Sequence, residues 1–243
     1  MIEKLNILNK EGAKSYILNP KIVGYVTCLN LSNLSHALKN KDYMNVLIGS
    51  KGVIMDGFWA SKLIGYFLNI KTEHYPGPNF FLDSLKLSTR KNMFLGSTTE
   101  RLNSLEKNLM LKGYLNSKAH KTPLPFKEVN EFNYEDIASK VLESEAELIW
   151  VSLGAPKQEF FARRLWSKLK DKTPNKIIII CVGAAFDFYN PNNKIPRAPI
   201  FFQNFGIEWL WRLFFQPIKS IKRLFEILQT MPLLIKILQK RNS

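Results

Sequence analysis

The chain has 243 residues, of which 46% are hydrophobic, and this is enough for one full-sized domain with a substantial core. Its 35 lysines and arginines exceed its 20 acidic residues by 15. Such a balance indicates either a polyanionic partner (a nucleic acid, an anionic lipid or a phosphorylated substrate) or simply a solvated, lysine-rich surface. The two cysteines lie far apart, which excludes a disulfide framework and favours a reducing cytoplasm. We expect no signal peptide, and the apolar runs are too short to span a bilayer.

Short apolar, β-branched runs alternate with helix-like segments along the chain. The predicted strands are, in order, KIVGYVTC, MNVLIG with its continuation SKGVIM, NMFLG, ELIWVSLG and KIIIICVG. The predicted helices are Phe58–Leu68, Phe80–Leu87, Thr99–Lys112, Tyr134–Glu145 and Lys157–Leu169. This alternation predicts an α/β fold with a mostly parallel sheet that is covered by helices on both faces. Ligands of such sheets bind at the carboxyl ends of the strands, so the residues that follow each strand are the candidates for a site.

The strand pattern stops at Arg197. The last 47 residues contain eight Lys or Arg, two Glu and eight Phe or Trp. They predict two or more amphipathic helices, with breaks near Pro217 and Pro232. We therefore predict an α/β domain over residues 1–195 and a basic, aromatic helical appendage over residues 196–243.

Asp56 stands on the turn between a predicted strand and the helix that follows it. A carboxylate there can take a proton from an attacking hydroxyl, or it can simply cap the first free N–H groups of the helix. No G-x-G-x-x-G sequence and no Walker-type glycine loop is present, which argues against a dinucleotide or P-loop site.

Gln158 and Glu159 lie in the first turn of the helix that follows LIWVSLG, just after Gly154. Free N–H groups at such a helix start can hold a diphosphate, and Gln158 can add donors and an acceptor for a phosphate or a sugar hydroxyl. Glu159 would repel phosphate, so it binds hydroxyls or an arginine, or it only interacts with the helix dipole.

Three further candidates lie at the ends of other strands. Gly96 is the last residue of NMFLG, Ser97 follows it, and Asp187 comes after KIIIICVG. Each is either a contact to a nucleotide or a residue of an ordinary turn or cap.

Six short motifs stand in order along the chain: MDGFWASKLIG, MFLGS, SLGAPKQE, VGAAFDF, IPRAP and GIEWLWRL. Together they resemble the WecG/TagA/CpsF glycosyltransferases, glycosyltransferase family 26, from about Val26 to Arg223. The resemblance implies a bacterial enzyme, peripheral on the cytoplasmic face of the plasma membrane. It moves a sugar (N-acetylmannosamine, its uronic acid or glucose) from UDP to a sugar on undecaprenyl diphosphate, with inversion, for teichoic acid, capsule or related polysaccharides.

The resemblance also implies a Rossmann-like core and a C-terminal helical appendage that associates with an anionic membrane surface. Homo-oligomers occur in the family. We expect no cofactor and no metal, because no D-x-D motif is present and arginines can supply the same electrostatic stabilisation.

The resemblance assigns roles to particular residues. Asp56 matches the family's proposed base, and Asn30 matches a substrate contact. Arg197 and Arg212 match family positions, where they either bind the lipid diphosphate and offset charge on the leaving UDP or only lie on a solvated helix face. Three positions depart from the family pattern. Cys28 stands where a threonine is frequent, and in HYPGPN His74 and Asn79 replace an arginine and an aspartate, so that a permanent positive charge becomes a titrating one.

Two other function classes remain open at this point. The net charge of +15 also suits a nucleic-acid-binding protein, although no recognition motif for nucleic acid is present. A non-catalytic membrane scaffold is the other alternative, and retention of Asp56 and Gln158 argues against it. Binding of UDP rather than RNA or DNA separates the enzyme from the first alternative.

Overall fold

A computed structural model describes residues 2–172, 176–193 and 196–239. Its seven strands, all parallel, are β1 (Ile7–Leu8), β2 (Gly24–Leu29), β3 (Gly52–Met55), β4 (Asn92–Gly96), β5 (His120–Thr122), β6 (Leu148–Ser152) and β7 (Ile178–Cys181). They form one sheet in the order β1-β3-β2-β7-β6-β4-β5. The predicted α/β class and parallel sheet are confirmed, and the described sheet is parallel throughout.

The α-helices of the described residues up to the end of the sheet are α1 (Lys10–Leu18), α2 (Leu31–Lys39), α3 (Lys41–Ile48), α4 (Phe58–Leu68), α5 (Gly77–Leu87), α6 (Thr99–Leu111), α7 (Tyr134–Glu143), α8 (Lys157–Leu169) and α9 (Ala185–Phe188). Those that follow are α10 (Ile200–Asn204), α11 (Glu208–Phe215) and α12 (Pro217–Gln239). The predicted bounds of α4 and α8 agree with the structure at both ends.

Alternate residues of each strand point to opposite faces of the sheet, and each face is covered by helices. Phe94 and Trp150 point to the face that packs against α1, α5, α6 and α9. Leu95 and Val151 point to the other face, where α7 and α8 cover one half of the sheet and α2, α3 and α4 cover the other half. Burial on both faces explains why the strands are almost continuously apolar.

One predicted strand is wrong. MNVLIG lies in α3 and in the turn after it, so only Gly52–Met55 of the predicted run is a strand. The Asn40 side chain caps this helix by accepting from the backbone N–H of Tyr43 at 3.0 Å. Tyr43, Met44 and Leu47 are buried on one face, at the spacing of a helix. A short buried helix and a buried strand have the same apolar composition, so the run alone did not distinguish them.

The predicted appendage is helical, with one correct break and one wrong break. The break near Pro217 is confirmed, because α11 ends at Phe215 and α12 begins at Pro217. Pro232 instead lies inside α12. Packing outweighs its cost to the helix, since Thr230 and Leu234, on either side of it, are buried against the core. The predicted boundary at residue 195 falls on Ile195, outside the described residues, and stays a prediction.

The outer surface of the appendage is rich in exposed apolar side chains. On α12 these include Ile218, Ile221, Phe225 and Leu228, whose spacing places them on one side of the helix. The opposite side packs on α2, where the hydroxyls of Ser35 and Thr230 are in contact. In the described part of the chain, no helix combines the length and the apolar character needed to cross a bilayer.

Candidate functional site

Asp56 lies directly after β3 and its carboxylate is fixed by two other segments of the chain. Oδ1 accepts a 2.6 Å hydrogen bond from the backbone N–H of Gly77, and Oδ2 accepts a longer one, 3.4 Å, from the Asn30 side-chain amide. Asp56 does not cap α4, whose cap residue is Gly57 with no side-chain hydrogen bond. It binds the first residue of α5 instead. The carboxylate is therefore oriented by hydrogen bonds from segments that lie far apart in sequence.

Gly77 lies where the carboxyl ends of three strands meet. A Cβ atom added to Gly77 would lie 3.3 Å from Asp56 Oδ1, 3.4 Å from Cys28 Sγ and 3.4 Å from the Val182 carbonyl oxygen. These three residues follow or end β3, β2 and β7. A glycine here lets the chain pass closely over the sheet edge and present its N–H to Asp56. Of the predicted site residues, the structure thus brings together Asp56, Cys28 and Asn30.

His74 also belongs to this group, in an uncharged form. Its Nε2 donates to the backbone carbonyl of Asp56 at 3.0 Å, and its ring stands edge-on to Phe58. Burial lowers the pKa of His74, against the opposing effects of that hydrogen bond and of the Asp56 charge. At neutral pH the imidazole therefore supplies no positive charge for a phosphate. Burial likewise raises the pKa of the Cys28 thiol well above its usual range, so it is a neutral group too.

A second group of predicted residues lies at the carboxyl ends of β4, β6 and β7. Gly96 has a φ of +126°, and a Cβ there would lie 2.6 Å from the Ser152 carbonyl oxygen, so only glycine fits. Ser97 and Gly154 also have positive φ, at 60° and 77°. The chain turns from β4 to α6 on one face of the sheet and from β6 to α8 on the other face. Such a divergence opens a crevice between the two strand ends.

Asp187, in α9, lies on the β7 side of this second group. Its Oδ1 accepts a 2.5 Å hydrogen bond from Arg101 Nη2, in a half-exposed ion pair with α6. The carboxylate is thus not a cap of its own helix, whose cap residue makes no side-chain hydrogen bond. Asp187 and Arg101 together place one negative and one positive group where α9 meets α6.

Gln158 and Glu159 are buried rather than open to solvent, with 2% and 0% of their surface exposed. Gln158 Oε1 accepts from the backbone N–H of Gly183 at 3.0 Å, and its Nε2 donates to Glu159 Oε1 at 2.9 Å. The two side chains therefore link the start of α8 to the turn after β7. A ligand would have to compete with these hydrogen bonds for Gln158, so its assignment as a ligand-binding residue stays a prediction, as does that of Glu159.

Glu159 has one oxygen with no hydrogen bond in the described structure. This atom is Oε2. The Tyr43 hydroxyl lies beside the same carboxyl group, and it too makes no hydrogen bond of good geometry among the described residues. Burial raises the pKa of Glu159 to about 7, and the hydrogen bond from Gln158 only partly opposes this effect. The group is therefore a buried carboxyl that gains its charge near neutral pH.

We expect this carboxyl to make the stability of the protein fall as pH rises. The folded pKa of about 7 exceeds the ordinary value of 4.5, so the contribution of Glu159 is fully present below pH 4.5 and is lost as pH rises through 7. Across that window the free energy of unfolding of the wild type should fall by about 3 kcal/mol relative to Glu159→Gln. Denaturant unfolding of both proteins from pH 4.5 to 8 measures the difference, and parallel curves would contradict the prediction.

The appendage places its two predicted arginines against the C-terminal end of α9. Arg197 donates to the Tyr189 hydroxyl at 3.2 Å and to Asn79 Oδ1. The guanidinium carbon of Arg212 lies 5.4 Å from the centre of the Phe188 ring, a cation–π contact. Asn79 is two residues from Gly77, so Arg197 is connected to the Asp56 group through α5.

Sequence reasoning missed three residues of this region: Gly77, Arg101 and Glu208. The X-Pro-Gly-Pro sequence around Gly77 was a signal for a special backbone position. Glu208 was also detectable, since it precedes Arg212 by four residues and so shares its helix face. Nothing in the sequence pointed to Arg101.

Comparison with known proteins agrees with the family motifs. The profile of the Glycosyl transferase WecG/TagA/CpsF family matches residues 5–243. A Bacillus spizizenii protein is 27% identical over 191 residues, which cover 74% of this chain and 67% of that protein. A Bacillus subtilis protein is 23% identical over 217 residues, which cover 84% and 76%. Both are named N-acetylglucosaminyldiphosphoundecaprenol N-acetyl-beta-D-mannosaminyltransferase. With the profile matched over nearly its whole length, the chain belongs to the WecG/TagA/CpsF family of glycosyltransferases.

Proposed function

We propose that the protein is an inverting glycosyltransferase that moves an N-acetylmannosamine-type sugar from UDP to an N-acetylglucosamine carried by undecaprenyl diphosphate. The product would enter teichoic acid or another cell-surface polysaccharide. The names of the two Bacillus relatives support the acceptor and the transferred sugar. The observation that carries the proposal is the Asp56 carboxylate, held at the meeting point of three strand ends by the Gly77 N–H and the Asn30 amide.

In this proposal Asp56 is the general base. An acceptor hydroxyl attacks the anomeric carbon of the donor, the bond from that carbon to the UDP oxygen breaks, and the hydroxyl proton passes to Asp56. Attack on the face opposite the leaving UDP inverts the anomeric centre. The two hydrogen bonds from Gly77 and Asn30 would hold the Asp56 carboxylate in place for this step, and the neighbouring His74 and Cys28 are neutral groups.

The UDP group would lie in the crevice between β4 and β6. Its phosphates are suited to the backbone N–H groups around Gly96, Ser97 and Gly154, where two glycines permit close approach. Asp187 is suited to a ribose or base contact at the rim. Gln158 would shape this pocket through its hydrogen bond to Gly183.

Arg197 and Arg212 would offset the negative charge that develops on the leaving UDP or that the acceptor diphosphate carries. Both guanidiniums lie on the appendage side of the site, against Tyr189 and Phe188. Arginine suits this purpose because its fork of donors matches two phosphate oxygens.

The appendage would hold the protein on the inner face of the plasma membrane. Its exposed apolar stripe on α12 suits the interface region of a bilayer, and Lys219, Lys222 and Arg223 lie on the same helix, suited to anionic headgroups. This placement would bring the site to a lipid-linked acceptor.

A panel of UDP-sugars tested on a short-chain lipid-linked acceptor checks the proposal. We expect transfer from UDP-N-acetylmannosamine. The UDP-linked uronic acid of N-acetylmannosamine and UDP-glucose are the competing donors in the panel. Product linkage by NMR should show the inverted anomeric configuration. Absence of transfer from every UDP-sugar, together with tight binding of RNA or DNA, would favour the nucleic-acid-binding alternative.

A further inference from the structure

Glu208 is brought to the site by an anchored helix start. Trp59 Nε1 donates to the backbone carbonyl of Gly206 at 2.9 Å. Gly206 has a φ of +69°, and a Cβ on it would lie 2.4 Å from Cδ1 of Phe58, so the two chains are in close contact. Phe58 and Trp59 begin α4, two and three residues after Asp56. Because α11 begins two residues after Gly206, its first turn lies beside the Asp56 turn.

The side chain of Glu208 shares a helix face with Arg212. Residues four apart on a helix lie one above the other, so the two side chains project in a similar direction. The guanidinium of Arg212 packs on Phe188, at the carboxyl-end side of the sheet. Glu208 is partly buried, and none of the ion pairs among the described residues includes it.

The charges around Glu208 are those of the proposed site. Burial raises the pKa of Glu208, and beside this main cause Arg212 lowers it, Asp56 raises it and Arg197 lowers it. The same three groups are the proposed base and the two proposed phosphate-binding residues. Glu208 is thus a second carboxylate within electrostatic reach of Asp56.

The chemistry of a carboxylate restricts what it can bind there. It repels a diphosphate, and with both groups charged it repels Asp56, so neither of these explains its position. A carboxylate accepts hydrogen bonds strongly from uncharged donors, such as a sugar hydroxyl or an amide N–H. The acceptor sugar must itself lie beside Asp56 to be deprotonated.

We propose that Glu208 is a specificity-determining residue that accepts a hydrogen bond from the acceptor sugar, at a hydroxyl or amide N–H other than the reacting hydroxyl. This inference rests on the proposed function and deepens it. Since Glu208 belongs to the appendage, recognition of the acceptor sugar depends on the docking of α11 against Phe58 and Trp59.

Steady-state kinetics of Glu208→Ala and Glu208→Gln test the inference. We expect Glu208→Ala to raise the KM for the lipid-linked acceptor roughly 10- to 100-fold while the Kd for UDP stays within about twofold. Glu208→Gln keeps an oxygen acceptor and should restore part of the loss. Glu226→Ala is the matched control, because Glu226 is the other appendage glutamate and pairs with His36 on α2, outside the site. Its acceptor KM should not change.

Several results would overturn the inference. One is an unchanged KM for the acceptor in a Glu208→Ala protein whose thermal midpoint equals that of the wild type. Another is an equal change of the acceptor KM in Glu208→Ala and Glu208→Gln together with a lower Kd for UDP in both. That result is expected if Glu208 only balances the charges of the arginines. If Glu208→Ala does not fold, an unchanged acceptor KM in Glu208→Gln with full thermal stability counts against it. Failure of the proposed function is distinguishable, since the wild type itself would then transfer no sugar to the acceptor.

Discussion

Replacing Asp56 with asparagine should lower the rate of sugar transfer by about 10²–10⁴-fold, the usual effect of removing a general base. Asparagine has nearly the same shape, and its side-chain oxygen can still accept the hydrogen bond that Gly77 donates at 2.6 Å. It cannot accept the proton of the acceptor hydroxyl at neutral pH. We therefore expect kcat to fall while the Kd for UDP and the thermal midpoint remain close to those of the wild type.

The matched control is Asp42→Asn, because Asp42 is exposed in the first turn of α3 and is not among the site residues. Single-turnover rates of both variants, with UDP binding by calorimetry, make the comparison. A turnover of Asp56→Asn within threefold of the wild type would exclude Asp56 as the base. Loss of UDP binding would instead indicate that Asp56 shapes the donor pocket.

Much of the sheet could be predicted because its central strands are buried on both faces. NMFLG agrees with β4 at both ends, and the other long apolar runs locate β2, β6 and β7 to within a few residues. The short strands β1 and β5 were missed. They lie at the two edges of the sheet, pair on one side only, and have two and three residues, too few to carry an apolar pattern.

The strand ends could be predicted as site positions, but the contacts between them could not. Asn30, Asp56 and Gly77 are far apart in sequence, and only the strand order β3-β2-β7 brings them together. The prediction for Asp56 allowed a cap on the helix that follows; the observed hydrogen bond is to the start of α5 instead. Sequence position identified the residue and the fold determined its partner.

Gln158 and Glu159 show a different limit. Polar residues in a first helical turn suggested an open ligand site, and the same residues are buried. Sequence periodicity places them beside the strand ends but does not say which way the helix faces. Their burial depends on α8 packing between the sheet and α3, a contact between distant segments.

The other large effect should come from the exposed apolar stripe of the appendage. Ile218, Phe225 and Leu228 are 83%, 61% and 58% exposed on the side of α12 away from α2. Replacing all three with glutamine keeps good helix formers in the helix but removes the side chains that we propose to enter the bilayer interface. Each apolar side chain contributes about 1.5–3 kcal/mol when fully buried, so partition onto vesicles should fall at least about 100-fold.

Co-sedimentation with vesicles that contain anionic lipid, at low and high salt, measures this loss. The control replaces Leu18, Met110 and Leu111, which are exposed on α1 and α6 at the opposite face of the sheet, and should bind vesicles as the wild type does. Substitution is a sharper test than truncation, because removal of α12 would also uncover the buried Leu34 of α2.

Transfer to a membrane-embedded acceptor should fall with vesicle binding, while transfer to a short-chain soluble acceptor should remain. If the triple glutamine variant binds vesicles like the control, α12 is not the membrane contact; if it loses both transfer activities, the stripe supports the site itself rather than the membrane.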